Sequence, residues 1–194
     1  MMDAPDIELV KQEAILAAAM AVMCQYGYRR TSMEDIARAA GMSRPALYQH
    51  FRNKEDIARR MVEVYFERAA DEVAVALAGA GPVEAQLARA FAAKTGPMIR
   101  EMLESPHGAE LLDLKDSHAR DAVEAGMARM TAVFADWLTH EAAQGRVALD
   151  GTAEEMAALL LRALDGIKRP PYARFAADRD RLAQVLGRGL HPPR

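Results

Sequence analysis

Apolar residues recur along this chain at spacings of three and four, the period of helices packed on one face. In the first segment Ile15, Leu16, Ala19, Met20, Met23 and Tyr26 line one side, and Gly27 ends the run. Thr31 or Ser32 caps a second, short helix, with Asp35 three residues after Ser32 as in a capping box. Ile36, Ala37 and Ala40 supply its buried side, and Gly41 suits the residue just past its end. Ser43 caps a third helix that carries Pro45 in its first turn, where a missing N–H costs little. Leu47 and Phe51, four apart, turn inward.

A fourth helix is predicted from about Asn53 to Leu77, with Ile57, Met61, Val64, Tyr65, Val73 and Leu77 as its stripe. Gly79, Gly81 and Pro82 break the chain. A fifth helix starts at Val83 and is interrupted or kinked at Gly96–Pro97; Ser105–Pro106 and Gly108 mark another turn. Val123, Met127, Met130, Phe134, Trp137 and Leu138 form a long helical face that ends at Gly145. Thr152 and Glu155 make a second capping box ahead of Met156, Leu159, Leu160, Ala163, Leu164 and Ile167. Gly166 and Pro170–Pro171 stop that helix. A last one spans roughly residues 172–190, with Phe175, Leu182, Val185 and Leu186 apolar. No repeat or hairpin signal interrupts the pattern, so the expectation is an all-α chain of about nine helices.

Composition narrows the class. Hydrophobic residues make up 51% of the 194 and charged residues 27%, as in folded soluble proteins. No apolar run is long enough to cross a membrane, and the N-terminus lacks a secretory h-region. The single cysteine, Cys24, cannot close an intramolecular disulfide; it reads as a small buried hydrophobe in a cytoplasmic protein.

The net charge of −3 is unevenly spread. Between Arg29 and Arg60 eight basic residues face four acidic ones, a local +4 that leaves −7 for the remainder. A positive head on an acidic body suits nucleic-acid binding, although solvated helix faces carry such clusters too.

The head has a specific pattern. Residues 31–51 form a short helix, the turn Gly41-Met42-Ser43 and a second short helix. That is a helix-turn-helix, in which the first helix braces the second against the major groove. Met42 fills the space between the helices. Ser43, Pro45 and Ala46 stand at the free helix N-terminus, which suits phosphate and base contact alike.

Gly27, Tyr28, Thr31, Ser32, Ile36, Ala37, Ala40, Gly41, Met42, Ser43, Leu47, Tyr48, His50, Phe51, Lys54 and Glu55 follow one register. In that register the segment resembles the DNA-binding region of the TetR family of regulators. The resemblance covers about the first quarter of the chain. It implies a three-helix DNA-binding head over residues 1–53 and a helical effector-binding and dimerisation domain over residues 54–194. Tyr48 and Lys54 then look like phosphate contacts, and Thr31 and Ser32 add contacts to the DNA backbone. Arg44 and Gln49 are candidates for base edges, since Arg can bond guanine and Gln adenine bidentately. Arg44 reaches phosphate as readily, His50 either phosphate or base, and Tyr48 also fits as a packing residue. Pro45 departs from the family's small residue at that place and removes a backbone donor.

For the second domain the resemblance implies a ligand cavity and a dimer formed by the last two helices. Phe91, Met98, Met102, Met130, Phe134 and Trp137 are the candidate pocket lining, a wall suited to a mostly apolar small molecule; each also fits as plain core. Met156, Leu160, Leu164, Ile167, Leu182 and Leu186 are the candidate dimer face. The stripe there is widened by Ala157, Ala158, Leu161 and Ala163, and a helix apolar nearly all round is buried on more than one side.

His107, His118 and His140 lack the spacing of a metal site, and no nucleotide-binding or hydrolase motif occurs, so neither cofactor, metal nor catalysis is expected. The reading is a homodimeric, ligand-released repressor on a palindromic operator. Its rivals are a helix-turn-helix protein that binds DNA or protein without effector control, and a helical ligand carrier or enzyme.

Overall fold

The computed structural model describes residues 4–112 and 119–193, and every regular element among them is helical. The order is α1 (Ala4–Tyr26), α2 (Met33–Ala39), α3 (Arg44–Tyr48), α4 (Lys54–Ala78), α5 (Val83–Lys94), α6 (Pro97–Glu104), α7 (Gly108–Leu112), α8 (Arg120–Ala143), α9 (Ala153–Gly166) and α10 (Tyr172–Gly189). The expected fifth helix is two helices, because Gly96 and Pro97 end one and start the next. The chain divides into two compact units, Met1–Val64 with Glu104–Val123 and Tyr65–Leu103 with Glu124–Arg194.

In the first unit α1, α2, α3, the first turns of α4 and the short α7 supply a core that includes Ile15, Ala19, Met23, Ile36, Leu47 and Ile57. The expected stripe of α1 is buried except for Tyr26, which is 54% exposed at the helix end; Cys24 and Tyr28 lie inside instead. Ser32, not Thr31, caps α2: its hydroxyl accepts from the Asp35 N–H, and the Asp35 carboxylate takes the Ser32 N–H and O–H. Those bonds, side chain first and backbone second, hold the Asp35 carboxyl below its usual range.

The second unit is built on α10 packed against α5, with α9 beside α10. Its core holds Leu87, Phe91, Met130, Phe134, Leu138, Leu161 and Phe175, with the Phe91 and Phe134 rings 6.1 Å apart. On α10 the buried positions are Phe175, Arg179, Ala183 and Gly187, every fourth residue. The apolar Leu182, Val185 and Leu186 lie off that line; Val185 is 66% exposed and the two leucines are half-buried. Small residues win because the helices run close: a Cβ on Gly187 would sit 2.7 Å from the Glu84 Cα.

The same unit buries a cation. Lys94 is 1% exposed, and its ammonium meets Asp165 at 3.1 Å, where Lys168 donates as well at 2.7 Å. Burial pushes the Asp165 carboxyl up, but the two lysines together pull further and leave it at about 2.

Candidate nucleic-acid interface

Gly41, with φ +67°, reverses the chain between α2 and α3 where an L side chain is strained. The Met42 N–H closes the turn by donating to the Ala37 carbonyl at 3.0 Å. Ser43 then caps α3 by accepting from the Ala46 N–H at 3.3 Å. Leu47 is fully buried, and its carbonyl accepts from the N–H of Phe51, which lies buried just beyond the helix. One side of this five-residue helix is thereby fixed in the core, so the other must face solvent.

That outward side carries Arg44, Pro45, Tyr48 and Gln49, all exposed, with Ala46 and His50 half-buried at its margins. The Arg44 guanidinium lies over the Tyr48 ring at 5.6 Å and donates to its hydroxyl at 3.3 Å. The pair is pre-arranged as one cationic, hydrogen-bonding edge. Gln49 is the exposed C-cap residue of α3.

Three candidates have partners that sequence reasoning did not foresee. The Thr31 side chain is buried, and its hydroxyl donates to the Gly27 carbonyl at 2.8 Å. The Lys54 ammonium donates to the carbonyls of Tyr28 and Thr31 at 2.7 and 2.8 Å and stands 4.5 Å from the centre of the Tyr28 ring. It thus ties the start of α4 to the loop between α1 and α2. His50 meets the Glu8 carboxylate through Nδ1 at 2.7 Å. A carboxylate only accepts, so Nδ1 carries the proton. Burial, then the charge of Glu55, pushes the Tyr28 phenol up to about 12. Ser32 is exposed but shares its hydroxyl with Asp35. No spacing rule signals the His50–Glu8 pair, because 42 residues separate them.

The other candidates fall in the second unit. Phe91, Met130 and Phe134 are fully buried core, and Met98 and Met102 are half-buried. Trp137 lines a cleft of about 620 Å³ that also touches Leu77, Gln86 and Glu141. Of the dimer-face candidates, Leu160 and Leu164 are buried within their own chain, while Met156, Ile167, Leu182 and Leu186 are half-covered. Leu159 and Val185 are exposed at 48% and 66%. His107 is paired with Glu110, His140 is exposed, and His118 lies outside the described residues. Among the described residues no three metal-ligating side chains cluster, and no helix is long and apolar enough to cross a membrane.

Comparison with known proteins gives this geometry its relatives. The family model described as bacterial regulatory proteins, tetR family, matches residues 15–61. The chain is 39% identical over 83 residues to the HTH-type transcriptional repressor ComR of Escherichia coli, a stretch covering 42% of this chain and 40% of that protein. It is 40% identical over 60 residues to the HTH-type transcriptional regulator AcrR of Shigella flexneri, covering 28% of each. The matched stretches therefore span well under two thirds of these relatives. Among solved structures, the fatty acid degradation regulator FadR of Bacillus halodurans superposes with a TM-score of 0.74 at 19% identity, over 99% of this chain and 100% of that one. The FadR of Bacillus subtilis, solved with stearoyl-CoA, gives 0.72 at 18% identity, over 92% and 99%. At those identities the likeness is one of fold, and it runs the length of the chain. The helix-turn-helix segment thus matches the TetR family of regulators in sequence over residues 15–61, and the fold along the chain is the one these solved regulators share.

Proposed function

We propose that this chain is a DNA-binding repressor that acts as a homodimer on a palindromic operator and is released by a small ligand. The observation that carries the reading is the outward side of α3, where Arg44, Tyr48 and Gln49 stand exposed on a helix anchored by Leu47 and capped by Ser43. A guanidinium and an amide on a rigid helix of the major-groove-reading kind are the side chains that discriminate guanine and adenine. Residues 1–53 form the reading head in this account, and residues 54–194 the effector and dimer domain, in the cytoplasm.

Within the head, Ser32, Tyr48 and the free N-terminus at Ser43, Pro45 and Ala46 serve the phosphates, with His50 beside them. Thr31 acts from within, and Lys54 has one N–H left for a phosphate after its two carbonyls. The dimer rests on the apolar side chains that α9 and α10 leave uncovered, Met156, Leu159, Ile167, Leu182, Val185 and Leu186, with Leu160 and Leu164 backing them from the core. Ligand control needs a molecule that binds better to a dimer whose heads are wrongly spaced. Phe91, Met98, Met102, Met130, Phe134 and Trp137 are the wall that would feel it, and α4, which has residues in both units, is the element that would carry the change. The Bacillus subtilis relative solved with stearoyl-CoA supports a small-molecule partner for this fold.

The test is selection of bound sequences from a random duplex pool at physiological salt. Two half-sites in a palindrome are expected. Binding without a consensus, collapsing steeply as salt rises, would replace the reading by non-specific association.

A further inference from the structure

From Glu8 to Ala14 no residue of α1 is buried, and the buried stripe of that helix begins at Ile15. Glu8 therefore stands about 10 Å, or two turns, beyond the packed part of the helix. Leu9 and Val10 beside it are each 53% exposed, so apolar packing does not hold this end of α1. A hydrogen bond does reach it. Nδ1 of His50 meets the Glu8 carboxylate at 2.7 Å, and the imidazole so engaged is only 11% exposed.

A carboxylate at this place is unfavourable for a head that meets DNA, because phosphates repel it. What it does for the head is mechanical. The helix α3 has five residues, too few to be rigid by itself. Leu47 and Phe51 pin its inner side in the core, and the His50 N–H closes on the Leu47 carbonyl at 3.0 Å. The exposed Gln49 lies between Leu47 and His50, so the path of its backbone depends on both neighbours being held. Burial holds Leu47, and Glu8 holds the His50 ring.

We propose that Glu8 is a positioning residue for base reading, acting through His50 on the backbone that carries Gln49. Glu8 touches no base in this account: it fixes the ring, and the ring fixes the end of α3. The first turns of α1 are then part of the reading head. The proposal deepens the regulator reading and rests on it for the effect on DNA, while the Glu8–His50 contact can be measured without DNA.

The contact is read by nitrogen-15 spectroscopy of the full-length protein labelled on histidine, at about pH 8.5, where imidazole is ordinarily neutral. His50→Gln assigns the ring among the chain's five histidines. In the native chain the ring should carry its proton on Nδ1, and in Glu8→Ala it should revert to the Nε2–H form. The role is read by competition binding to the selected operator and its single-base variants. Glu8→Ala should lower discrimination about tenfold at the position that Gln49→Ala relaxes, within what one bidentate base contact supplies, and leave other positions unchanged. Glu8→Gln removes the charge yet keeps a hydrogen-bonding group at the same reach, and should restore most of that discrimination. A carboxylate acting by charge alone would instead give higher affinity for every sequence in both variants, and that result overturns the proposal. A lower melting temperature in Glu8→Ala with base preference intact overturns it too, since the pair would then be structural only. If the native operator consensus appears but the native ring is Nε2–H, the proposal falls and the regulator reading stands. If no consensus is selected although the ring is held as expected, the regulator reading fails and the base-reading role of Glu8 fails with it.

Discussion

The Lys54 ammonium and the Tyr28 carbonyl are joined by a 2.7 Å hydrogen bond across 26 residues, and a second bond at 2.8 Å ties the same ammonium to Thr31. Lysine thus fastens the start of α4 to the loop that sets α2. Lys54→Met keeps the aliphatic stem and deletes both bonds. The head should lose about 1–3 kcal/mol, since two partly buried carbonyls are left without their charged donor. Urea denaturation reads the loss, and DNA affinity should fall for all sequences alike. An unchanged urea midpoint together with a salt slope lower by about one would assign Lys54 to phosphate instead.

Gln49 is the sharpest test of base reading, because it stands exposed at the end of a helix whose opposite side is locked by Leu47. Gln49→Ala should relax the preference at one position in each operator half-site, costing roughly 1–3 kcal/mol at the cognate base and little elsewhere. Competition binding with single-base operator variants measures this. A uniform loss across all variants would make Gln49 a phosphate or packing residue.

Local signals were legible in the sequence; distant pairings were not. Both capping boxes, Ser32 with Asp35 and Thr152 with Glu155, form as their spacing implies, because a cap needs only four residues to specify it. Leu47 and Phe51 are buried for the same reason. The buried line of α10 is set by its close approach to α5, which selects Ala183 and Gly187, and no spacing of large apolar residues marks it in the sequence. Roles within the head divide likewise. A threonine or lysine at an exposed helix start suits phosphate, yet Thr31 and Lys54 turn to carbonyls of their own chain. Residue type and position are the same in both cases, so only the fold separates them. The buried Lys94–Asp165 pair, 71 residues apart, left no periodic trace at all.

Gly187 and Gly189 give a paired test of how closely α10 lies on α5. A methyl on Gly187 would press on the Glu84 backbone, 2.7 Å from its Cα, and neither helix can yield without moving as a unit. Gly187→Ala should therefore cost about 1–3 kcal/mol, the range for an overfilled core. A methyl on Gly189 meets nothing within 4 Å, so Gly189→Ala should be neutral or slightly stabilising. Thermal denaturation of the two variants side by side separates these outcomes. Equal melting temperatures would show that α10 has room to shift.

The buried pair in the second unit makes stability depend on acid in a defined window. The Asp165 carboxyl falls from its ordinary 3.8 to about 2 in the folded chain, because Lys94 and Lys168 outweigh the burial that opposes them. Between those values the unfolded chain takes up a proton that the folded chain refuses. Asp165 therefore stabilises the fold fully above about pH 4, and its contribution is lost as the pH falls through about 2, roughly 2 kcal/mol in all. Other carboxylates held low, such as Asp56 beside Arg52 and Glu141 beside Arg146, lose stability in the same direction, so the bare acid profile does not isolate Asp165. Asp165→Asn does. The variant should be less stable than the native chain at pH 6, because it removes the carboxylate charge that the buried Lys94 ammonium faces, and the gap should narrow steadily between pH 4 and pH 2. Urea midpoints across that range measure the gap. A gap that stays constant with pH would mean that Asp165 keeps its ordinary carboxylate behaviour and that the two lysines do not act on it as a charge.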